Sequence, residues 1–523
     1  MQEEIEIVIA PEDWGNTEQI EQAILKKIAR STLQGLKYQI LKRSIDARSR
    51  KVVFRLKIMI ADVSRLANDS SLIHIPEFQY KNVSDRPEVY IVGAGPAGLF
   101  AALRLIELNY KPIILERGKN VKERRRDLAV LNKDLVVNPE SNYCFGEGGA
   151  GTYSDGKLYT RSTKRGDVDR ILYRLIESGA DPDIAVNTRP HIGTNKLPQI
   201  IESLREKAIA CGAEFLFETK LTDVMLEGNA IAGIEINHRH KIKCKELILA
   251  TGHSARDIYE LLHRRGIKIE AKPFALGVRI EHPQELIDAA QYHCEVRPAA
   301  LPAAYYSLVQ QVENRGVFSF CMCPGGIIAP CATSPGEVVV NGWSPSKRNN
   351  PFANSGLVVQ IDLMDIKDAM QNPLAALDYQ SAVEHLAFAH ANQSIQAPAQ
   401  RIVDFVNRKV SNTLPENSYL PGLTSANLWE VLPEHVSNRL SKALPEFGKK
   451  MKGYFSNEGI LVGVESRTSS PVRIPRDRES LQHTEIKGLY PCAEGAGYAG
   501  GIVSAAIDGE KCAEALVRML VGS

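Results

Sequence analysis

The chain has 523 residues, which predicts about two or three domains, and its 44% hydrophobic and 24% charged content is ordinary for a globular protein. A formal net charge of +2 excludes a strong overall field that would attract nucleic acid or a membrane surface. No apolar run reaches the roughly 20 residues of a membrane span. Nine scattered cysteines and an acidic N-terminus without a secretory pattern predict a cytoplasmic protein with reduced thiols.

Residues 1–82 are predicted to form a separate α+β module. Isoleucines alternate with other residues near the N-terminus, as in a strand, and a stretch with helical spacing follows. The resulting order β-α-β-β is typical of a small ferredoxin-like unit. The predicted elements are a strand over 5–9, a helix over 17–29, strands over 36–45 and 51–60, and a polar linker over 69–87.

Basic residues cluster in the predicted hairpin of this module. One interpretation is a surface for nucleic acid or an acidic partner. The other is a solvated hairpin face, and it is favoured because no aromatic stacking pair of the RNA-binding type accompanies the charges. The basic residues are Lys42, Arg43, Arg48, Arg50, Lys51, Arg55 and Lys57.

The central motif of the chain is a strand, a glycine turn, a helix and a second strand over residues 89–116. Gly93 permits a tight turn, Gly95 leaves a pyrophosphate unobstructed, and Gly98 lets the helix approach the sheet. The helix N-terminus then directs N–H groups and a partial positive charge at the phosphates. This arrangement predicts a dinucleotide site, with Pro96 and Ala97 in the same turn.

The spacing Gly-x-Gly-x-x-Gly is weak by itself, because it begins at Gly93, Gly146 and Gly495. Only the first copy has a strand before it, a helix after it and an acid about twenty residues on. That acid, Glu116, can accept hydrogen bonds from ribose hydroxyls and would repel a 2′-phosphate. The nucleotide is therefore expected to be FAD or NAD rather than NADP.

Arginines follow the predicted ribose site, at Arg117 and Arg124–Arg126. They either reach the phosphates or form a solvated helix face. The next segment, residues 138–161, is rich in glycine, so it offers backbone N–H groups and little bulk to a flat cofactor or its diphosphate. Gly149, Ala150 and Gly151 are its candidate contacts, and a plain surface loop is the alternative.

An amphipathic helix over 192–211 is followed by short strands and by an apolar strand that ends at Thr251-Gly252-His253. The carboxyl end of such a strand is where α/β proteins place ligands. His253 is a candidate base, although a loop histidine is more often simply solvated.

The regular alternation then gives way to strands, prolines and irregular loops over 258–459, which predicts a mixed substrate domain. Cys321 and Cys323 share a strand and thus one side of it. Their spacing is unusual for zinc or for a redox disulfide, so plain packing is favoured and no metal site is predicted. The strands predicted here cover 274–281, 305–309, 316–323, 337–340 and 356–362.

Near the C-terminus a strand leads to Glu494, a glycine turn and a helix. The helix N-terminus, at Gly501 to Val503, can place N–H groups against the electron-rich N1/O2 edge of a flavin. Glu494 is placed to bind a polyol hydroxyl or, through water, the diphosphate.

Several long segments resemble a family of bacterial FAD-dependent dehydrogenases with a glutathione-reductase-like fold. They are NYCFGEGGAGTYSDGKL, ATGHSARD, AKPFALGVRIEHPQ, FSFCMCPGG and LYPCAEGAGYAGGIVSAAIDG. The resemblance covers roughly residue 89 to the C-terminus, and SIDARSRKV near the N-terminus fits it too. Ala493 departs from it, since a glycine is expected before the acid.

The resemblance implies FAD and the position of each contact. Gly93, Gly95, Ala97 and Gly98 would hold the diphosphate, Glu116 and Arg117 the ribose end. Thr251 and Gly252 would lie near the adenosine side, and Gly149 to Gly151 near the diphosphate or ring. Glu494, Gly501 and Ile502 would hold the ribityl chain and pyrimidine edge, and the backbone of Leu221 would face adenine.

The fold class expected is α/β, with a discontinuous Rossmann-like FAD-binding domain over 88–257 and 460–523, a substrate domain over 258–459 and the N-terminal module. The expected function is an FAD-dependent oxidoreductase acting on a small molecule through flavin N5. Transient NAD(P)H docking stays open, and His253, Arg279 and the two cysteines are only candidate catalytic residues. The alternatives are a flavin-containing RNA-binding or RNA-modifying protein and a flavoprotein without turnover.

Overall fold

A computed structural model describes residues 2–62, 75–160 and 166–522. The first part of the predicted linker, residues 69–74, and Arg161 of the glycine-rich segment lie outside these ranges. The strands are β1 Gln2–Ile9, β2 Leu36–Asp46, β3 Val53–Asp62, β4 Glu88–Val92, β5 Lys111–Leu115, β6 Glu214–Leu216, β7 Leu221–Glu227, β8 Ala230–Ile236, β9 His240–Lys243, β10 Leu247–Leu249, β11 Glu270–Ala271, β12 Phe274–Pro283, β13 Val309–Val312, β14 Arg315–Cys323, β15 Ile327–Pro330, β16 Val340–Trp343, β17 Phe352–Ile361, β18 Ala397–Arg401, β19 Leu423–Ser425, β20 Ile460–Glu465, β21 Val472–Arg473 and β22 Leu489–Pro491. The helices are α1 Thr17–Ile28, α2 Pro96–Glu107, α3 Val121–Asp134, α4 Val168–Glu177, α5 Leu197–Ala210, α6 Arg256–Arg264, α7 Gln284–Tyr292, α8 Ala375–Ala389, α9 Ile402–Val406, α10 Leu428–Val431, α11 Glu434–Lys450 and α12 Ile502–Gly522.

One sheet is parallel and has the strand order β22-β10-β4-β5-β6. The predicted β-α-β unit is confirmed, because β4 continues through α2 into β5 and the two strands pair along their whole length. The strand after Gly488 is β22, which joins the same sheet. The helix that follows it, α12, packs against α2. The sheet is therefore Rossmann-like and is built from two distant parts of the chain.

Helix α2 lies unusually close to its neighbours because glycines meet it on two sides. A Cβ atom on Gly98 would lie 1.9 Å from the carbonyl oxygen of Gly93, at the end of β4. A Cβ atom on Gly509 of α12 would lie 2.0 Å from the carbonyl oxygen of Ala97. Only glycine allows these backbone contacts, so both positions fix the spacing between the turn, α2 and α12.

The second large sheet has seven strands in the order β13-β14-β17-β12-β20-β18-β19. It is antiparallel except for the pairing of β18 with β19. Its central strand β12 is buried along almost its whole length, and α7 and α11 pack against it. Strand β20 belongs to this sheet, although the sequence division had placed residues from 460 with the nucleotide-binding part.

The N-terminal residues form a three-stranded sheet in the order β1-β3-β2. Strand β3 lies between β1 and β2 and is antiparallel to both, so the unit is a split β-α-β. The sheet meets the rest of the chain at Arg43, whose backbone pairs with Val186 and Thr188. Among the described residues, no helix is both long and apolar enough to cross a membrane.

Four of the seven basic residues of the N-terminal hairpin are paired with carboxylates. Arg43 contacts Asp183 at 3.0 Å, and Arg48 contacts Asp46 at 2.7 Å. Arg55 contacts Asp46 and Glu6, and Lys57 contacts Glu4. Four of the seven positive charges are thus neutralised by nearby carboxylates, so this observation does not favour nucleic-acid binding.

Three predicted elements lie elsewhere in the structure. The helix predicted from residue 192 begins at Leu197, because a turn at Gly193, with φ +92°, packs on the backbone of Ser346. The strands predicted at 305–309 and 337–340 are observed as β13 and β16, each several residues later. Apolar content indicated a strand nearby in each case, but the partner strand set its limits.

Substitution of Gly509 by alanine tests the contact between α12 and α2. The added methyl group would overlap the backbone of Ala97. Overpacking of this kind typically costs about 1–3 kcal/mol, so the free energy of unfolding should fall by about that amount. Denaturant-induced unfolding followed by circular dichroism measures it.

Gly522→Ala in the same helix is the matched control, because its Cβ atom meets nothing within 4 Å. Helix propensity alone should leave its stability unchanged or raise it by up to about 1 kcal/mol. Equal stabilities of G509A and G522A would contradict the proposed packing constraint.

Candidate functional site

A cavity of about 330 Å³ lies between the two large sheets. Its wall contains residues at the carboxyl ends of β4, β5, β10 and β22, together with residues of β14 from the seven-stranded sheet and of β16, which pairs with β15 in a separate two-stranded sheet. Fifteen of the seventeen predicted cofactor contacts line it. They are Gly93, Gly95, Pro96, Ala97, Glu116, Arg117, Gly149, Ala150, Gly151, Leu221, Thr251, Gly252, Glu494, Gly501 and Ile502.

The first glycine turn forms one side of this cavity. Gly93 has φ +104°, and its N–H donates to the carbonyl oxygen of Leu115 at 2.7 Å. A Cβ atom on Gly93 would meet the carbonyl oxygen of Ala250 at 2.4 Å, whereas one on Gly95 would meet nothing within 4 Å. Gly93 is therefore required by the fold, and Gly95 leaves open space before the N-terminus of α2. Gly98 does not line the cavity; it acts in the helix packing described above.

Glu116 joins three loops through one carboxylate. Its Oε2 accepts a hydrogen bond from the N–H of Ala94 at 2.9 Å. Its Oε1 accepts from the N–H groups of Gly118 at 2.9 Å and Gly146 at 3.0 Å. A carboxylate has about four acceptor positions, so one is left for a ligand donor such as a hydroxyl.

Arg124 does not reach the cavity, and its predicted contact with phosphates is corrected. Its side chain is fully buried beneath the glycine-rich loop. The guanidinium donates to the carbonyl oxygens of Asn142 at 2.8 Å and Glu147 at 2.7 Å, and more weakly to that of Gly146. It therefore holds the loop that carries Gly149 to Gly151. The loop also meets the first glycine turn, where the N–H of Gly148 donates to Ala94 at 2.8 Å.

Arg117 lines the cavity but is already paired. Its guanidinium contacts Glu140 at 2.7 Å and Asp257 at 2.9 Å and lies over the ring of Phe145. Lys220 contacts the same two carboxylates, at 2.9 and 3.1 Å. This cluster orients Arg117 at the end of the cavity that also holds Leu221.

The end of β10 meets the C-terminal glycine turn. A Cβ atom on Gly495 would lie 2.7 Å from the carbonyl oxygen of Gly252, so the two loops touch. Beside them, His253 Nδ1 lies 3.3 Å from Glu494 Oε2, and both side chains line the cavity. His253 is thus a partner of Glu494 rather than a solvated loop residue.

Ala493, the residue that departs from the family pattern, has φ +56°. This left-handed conformation costs a residue with a Cβ atom roughly 1–2 kcal/mol and costs glycine nothing. Its N–H donates to Asp508 Oδ2 at 2.7 Å, and Asp508 is held by Arg476. The backbone conformation explains why glycine suits this position. The hydrogen bond to Asp508 holds alanine in it.

The seven-stranded sheet supplies the opposite wall. The register between β14 and β17 slips between Phe320 and Cys323, and Cys321 has φ +45°. Phe320, Cys321 and Cys323 all line the cavity. Cys321 opens onto the cavity but lies deep in the protein, and burial raises the pKa of its thiol to about 11.

Arg279 is absent from the cavity wall, so its place among the catalytic candidates is not supported. It is fully buried, and its guanidinium contacts Glu465 at 3.0 Å and the carbonyl oxygen of Cys321 at 2.8 Å. It also lies 3.3 Å from Cys323 Sγ. Arg279 therefore supports the wall through Cys321, on the side away from the cavity.

The sequence assigns no role to Ser154, Asp155 and Lys157, which fall within the glycine-rich segment 138–161, or to several residues of the opposite wall. Asp155 is held by Arg348 at 2.6 Å. Burial by itself would raise the pKa of Asp155, but Lys157 and Arg348 lower that pKa to about 2. No local pattern marks such residues, because Arg348 and the two cysteines reach Asp155 and Lys157 only through the tertiary fold. The missed wall residues include Phe320, Asn341, Gly342, Arg467 and Thr468.

One described group has the composition of a metal site, namely Cys492, Asp508 and Cys512. The carboxylate of this group is already paired, because Arg476 Nη2 lies 2.6 Å from Asp508 Oδ1. Arg476 Nη1 also lies 3.5 Å from Cys512 Sγ. A fixed positive charge in this position opposes a cation.

Comparisons with known proteins give the family. A model for the C-terminal domain of FAD-dependent proteins matches residues 273–468, and a domain of unknown function matches residues 1–61. A Clostridium beijerinckii protein described as uncharacterized is 40% identical over 517 residues, covering 95% of this chain and 96% of that one. Thiamine thiazole synthase of Aeropyrum pernix is 30% identical over 184 residues, which are 32% of this chain and 56% of that one. The solved structure of glycine oxidase from Bacillus cereus covers 84% of this chain and 96% of its own, at 14% identity and a TM-score of 0.31, too distant to bear on function.

The parallel sheet with its glycine turn and the matched FAD-dependent domain define an FAD-dependent oxidoreductase as the class of protein. The chain belongs to the family of FAD-dependent proteins that includes the C. beijerinckii relative. Its cofactor is FAD.

Glu116→Gln tests whether this carboxylate holds the three loops together. The amide group of glutamine has one acceptor oxygen and turns donors toward backbone N–H groups, which are themselves donors. The free energy of unfolding should fall by about 2 kcal/mol or more, because buried N–H groups lose charged acceptors. Denaturant-induced unfolding of the purified protein measures this loss.

Glu206→Gln, on the exposed face of α5, makes the same change of charge away from the loops and serves as the control. It should stay within about 0.5 kcal/mol of the unsubstituted chain. A stability of E116Q equal to that of E206Q would show that Glu116 does not join the loops.

Proposed function

We propose that the protein is an FAD-dependent oxidoreductase that exchanges a hydride between flavin N5 and a small organic substrate, with FAD extended along the described cavity. The observation that carries the proposal is the shape of the wall. Two glycine turns and a glycine-rich loop from the parallel-sheet side face Phe320 and the two cysteines of the other sheet. Bound flavin supplies the redox chemistry, while the chain binds, orients and shields it.

The glycine positions fit a cofactor with a diphosphate. Added Cβ atoms at Gly95 and Gly252 would meet no protein atom within 4 Å, so both positions keep open space at the ends of β4 and β10. The N-terminus of α2 follows Gly95 and brings its partial positive charge to the same place. We assign the diphosphate to Gly93, Gly95, Pro96 and Ala97, with Gly149 to Gly151 on the opposite side.

The two ends of the cavity fit different parts of FAD. Glu116 has one remaining acceptor position for a ribose hydroxyl, and Arg117 lies beside it; Thr251, Gly252 and Leu221 complete the adenosine end. Glu494 and the N-terminus of α12, at Gly501 and Ile502, are assigned to the ribityl chain and the pyrimidine edge. Negative charge gathers at that edge on reduction, and a helix N-terminus stabilises it.

We assign cofactor binding and substrate binding to different sheets. The parallel sheet and the residues around it bind the nucleotide. The seven-stranded sheet, with Phe320 and the two cysteines on the cavity wall, is assigned to the substrate. The N-terminal sheet contributes no residue to the described cavity wall, and its role is left unassigned.

Gly95→Val tests the assigned position of the diphosphate. The backbone of Gly95 is extended, with φ −74°, so valine fits the fold, but its side chain enters the space given to the diphosphate. FAD affinity should fall at least about tenfold, equivalent to about 1.4 kcal/mol, with little change in stability. Fluorescence titration of the apoprotein with FAD and thermal unfolding measure the two effects.

Gly316→Val in β14 is the control, since its Cβ atom would make only ordinary contacts, the nearest at 3.7 Å, and Gly316 lies outside the cavity wall. It should bind FAD like the unsubstituted protein. Unchanged FAD affinity in G95V would contradict the assignment of the diphosphate to this turn.

Turnover is tested separately by anaerobic mixing of the purified holoprotein with NADH, NADPH and dithionite. Loss of the visible flavin absorbance with a nicotinamide, followed by its return on adding an electron acceptor, is expected of an oxidoreductase that NAD(P)H visits transiently. A flavin that dithionite reduces but neither nicotinamide reduces would reject NAD(P)H as the donor. A flavin that resists all three reductants would instead favour a structural role.

A further inference from the structure

We infer that Lys157 is the anchor for a carboxylate on the substrate, so that the protein acts on small organic acids. This inference rests on the proposed function and names the substrate class of the same cavity. It depends on the one cation of the described cavity wall that has no close carboxylate partner.

The other basic side chains of the wall already lie close to carboxylates. Arg117 and Lys220 share Glu140 and Asp257. Arg467 contacts Glu337 at 2.8 Å and Glu384 at 2.9 Å, and His253 faces Glu494. These groups are therefore poorly placed to provide a free charge for a ligand.

Lys157 differs from them in its surroundings. Its Nζ lies 3.9 Å from Asp155 Oδ2, and that oxygen is already held by Arg348 at 2.6 Å. Its Nζ also donates to Cys323 Sγ, which is nearer, at 3.6 Å. An ammonium group has three N–H donors, and a sulfur atom is a weak acceptor, so Lys157 retains donor capacity.

The charges around Lys157 leave an excess of one positive charge. Lys157, Arg348 and Arg279 are the cations of this cluster, and Asp155 and Glu465 are its carboxylates. Glu465 is paired with Arg279 at 3.0 Å, so its charge is taken up there. His191, beside the cluster, adds no further positive charge, because burial lowers its pKa to about 4 and leaves it neutral at pH 7.

Lys157 itself stays protonated in this environment. Burial by itself would lower the pKa of Lys157, but the nearby Cys323 and Asp155 outweigh that effect and raise it above the ordinary value. An excess charge in a cluster that is largely buried is costly until an anion joins it, and the half-buried Lys157 is the member of the cluster that a ligand can reach.

The position of Lys157 points to the substrate rather than the diphosphate. It comes from the glycine-rich loop, and its side chain reaches β14, on the wall that carries Phe320, Cys321 and Cys323. The rest of that patch is uncharged, with Asn341 and Gly342 beside it. A molecule with an apolar body and one carboxylate matches this cation beside the uncharged patch.

The test is equilibrium dialysis of the FAD-bound protein against benzoate, acetate and inorganic phosphate, with benzamide as the uncharged counterpart of benzoate. Saturable benzoate or acetate binding is expected, and benzamide should bind at least about tenfold more weakly than benzoate. Lys157→Met should weaken carboxylate binding about 10- to 100-fold and leave benzamide binding unchanged. Lys157→Arg should restore most of the affinity.

Lys122→Met is the matched control, because Lys122 is an exposed lysine of α3 that pairs with Glu202 outside the cavity. It should bind carboxylates as the unsubstituted protein does. Equal benzoate affinity in K157M, equal binding of benzoate and benzamide, no carboxylate binding, or binding of phosphate alone would each overturn the inference.

The FAD content of every variant is read from its visible absorbance before dialysis. Loss of FAD in K157M would show that Lys157 holds the cofactor, and this too overturns the inference while supporting the proposed site. Unsubstituted protein that takes up no FAD would instead refute the proposed function. The two failures are therefore separate.

Discussion

The carboxylate of Glu116 is the interaction on which the arrangement of the site depends. It lies directly after β5 and accepts hydrogen bonds from N–H groups of the first glycine turn, of Gly118 and of the glycine-rich loop. These three segments have few side chains with which to pack, so a shared acceptor replaces packing. Because the carboxylate is 5% exposed, water competes little for these hydrogen bonds.

Arg124 and Arg279 complement Glu116 from the side away from the cavity. Arg124 binds carbonyl oxygens of the glycine-rich loop, and Arg279 binds Glu465 and the carbonyl oxygen of Cys321. A guanidinium group has five donors in a fixed plane, so a single buried side chain can organise an irregular segment. The cavity wall is thus backed by charged groups that do not themselves face the ligand.

The sequence was informative where a motif is local. The β-α-β unit around Gly93, the Thr251-Gly252 strand end and the C-terminal glycine turn were all predicted, because steric rules for glycine and helix N-termini act over a few residues. It was uninformative where partners are distant. Nothing near Arg124 shows that it is buried, and the wall of Phe320 and Cys323 depends on the pairing order β14-β17-β12, which local patterns do not determine.

The parallel sheet has a consequence for the order in which the protein is made. Its central strand β4 is synthesised early, but β22 and α12 follow the whole seven-stranded sheet in the chain, and Gly509 then packs against Ala97. During translation the nascent chain therefore exposes an unfinished crevice, lacking Glu494 and Gly501. The nucleotide pocket is therefore complete only after the seven-stranded sheet has been synthesised, although most of its glycine turns come earlier in the chain.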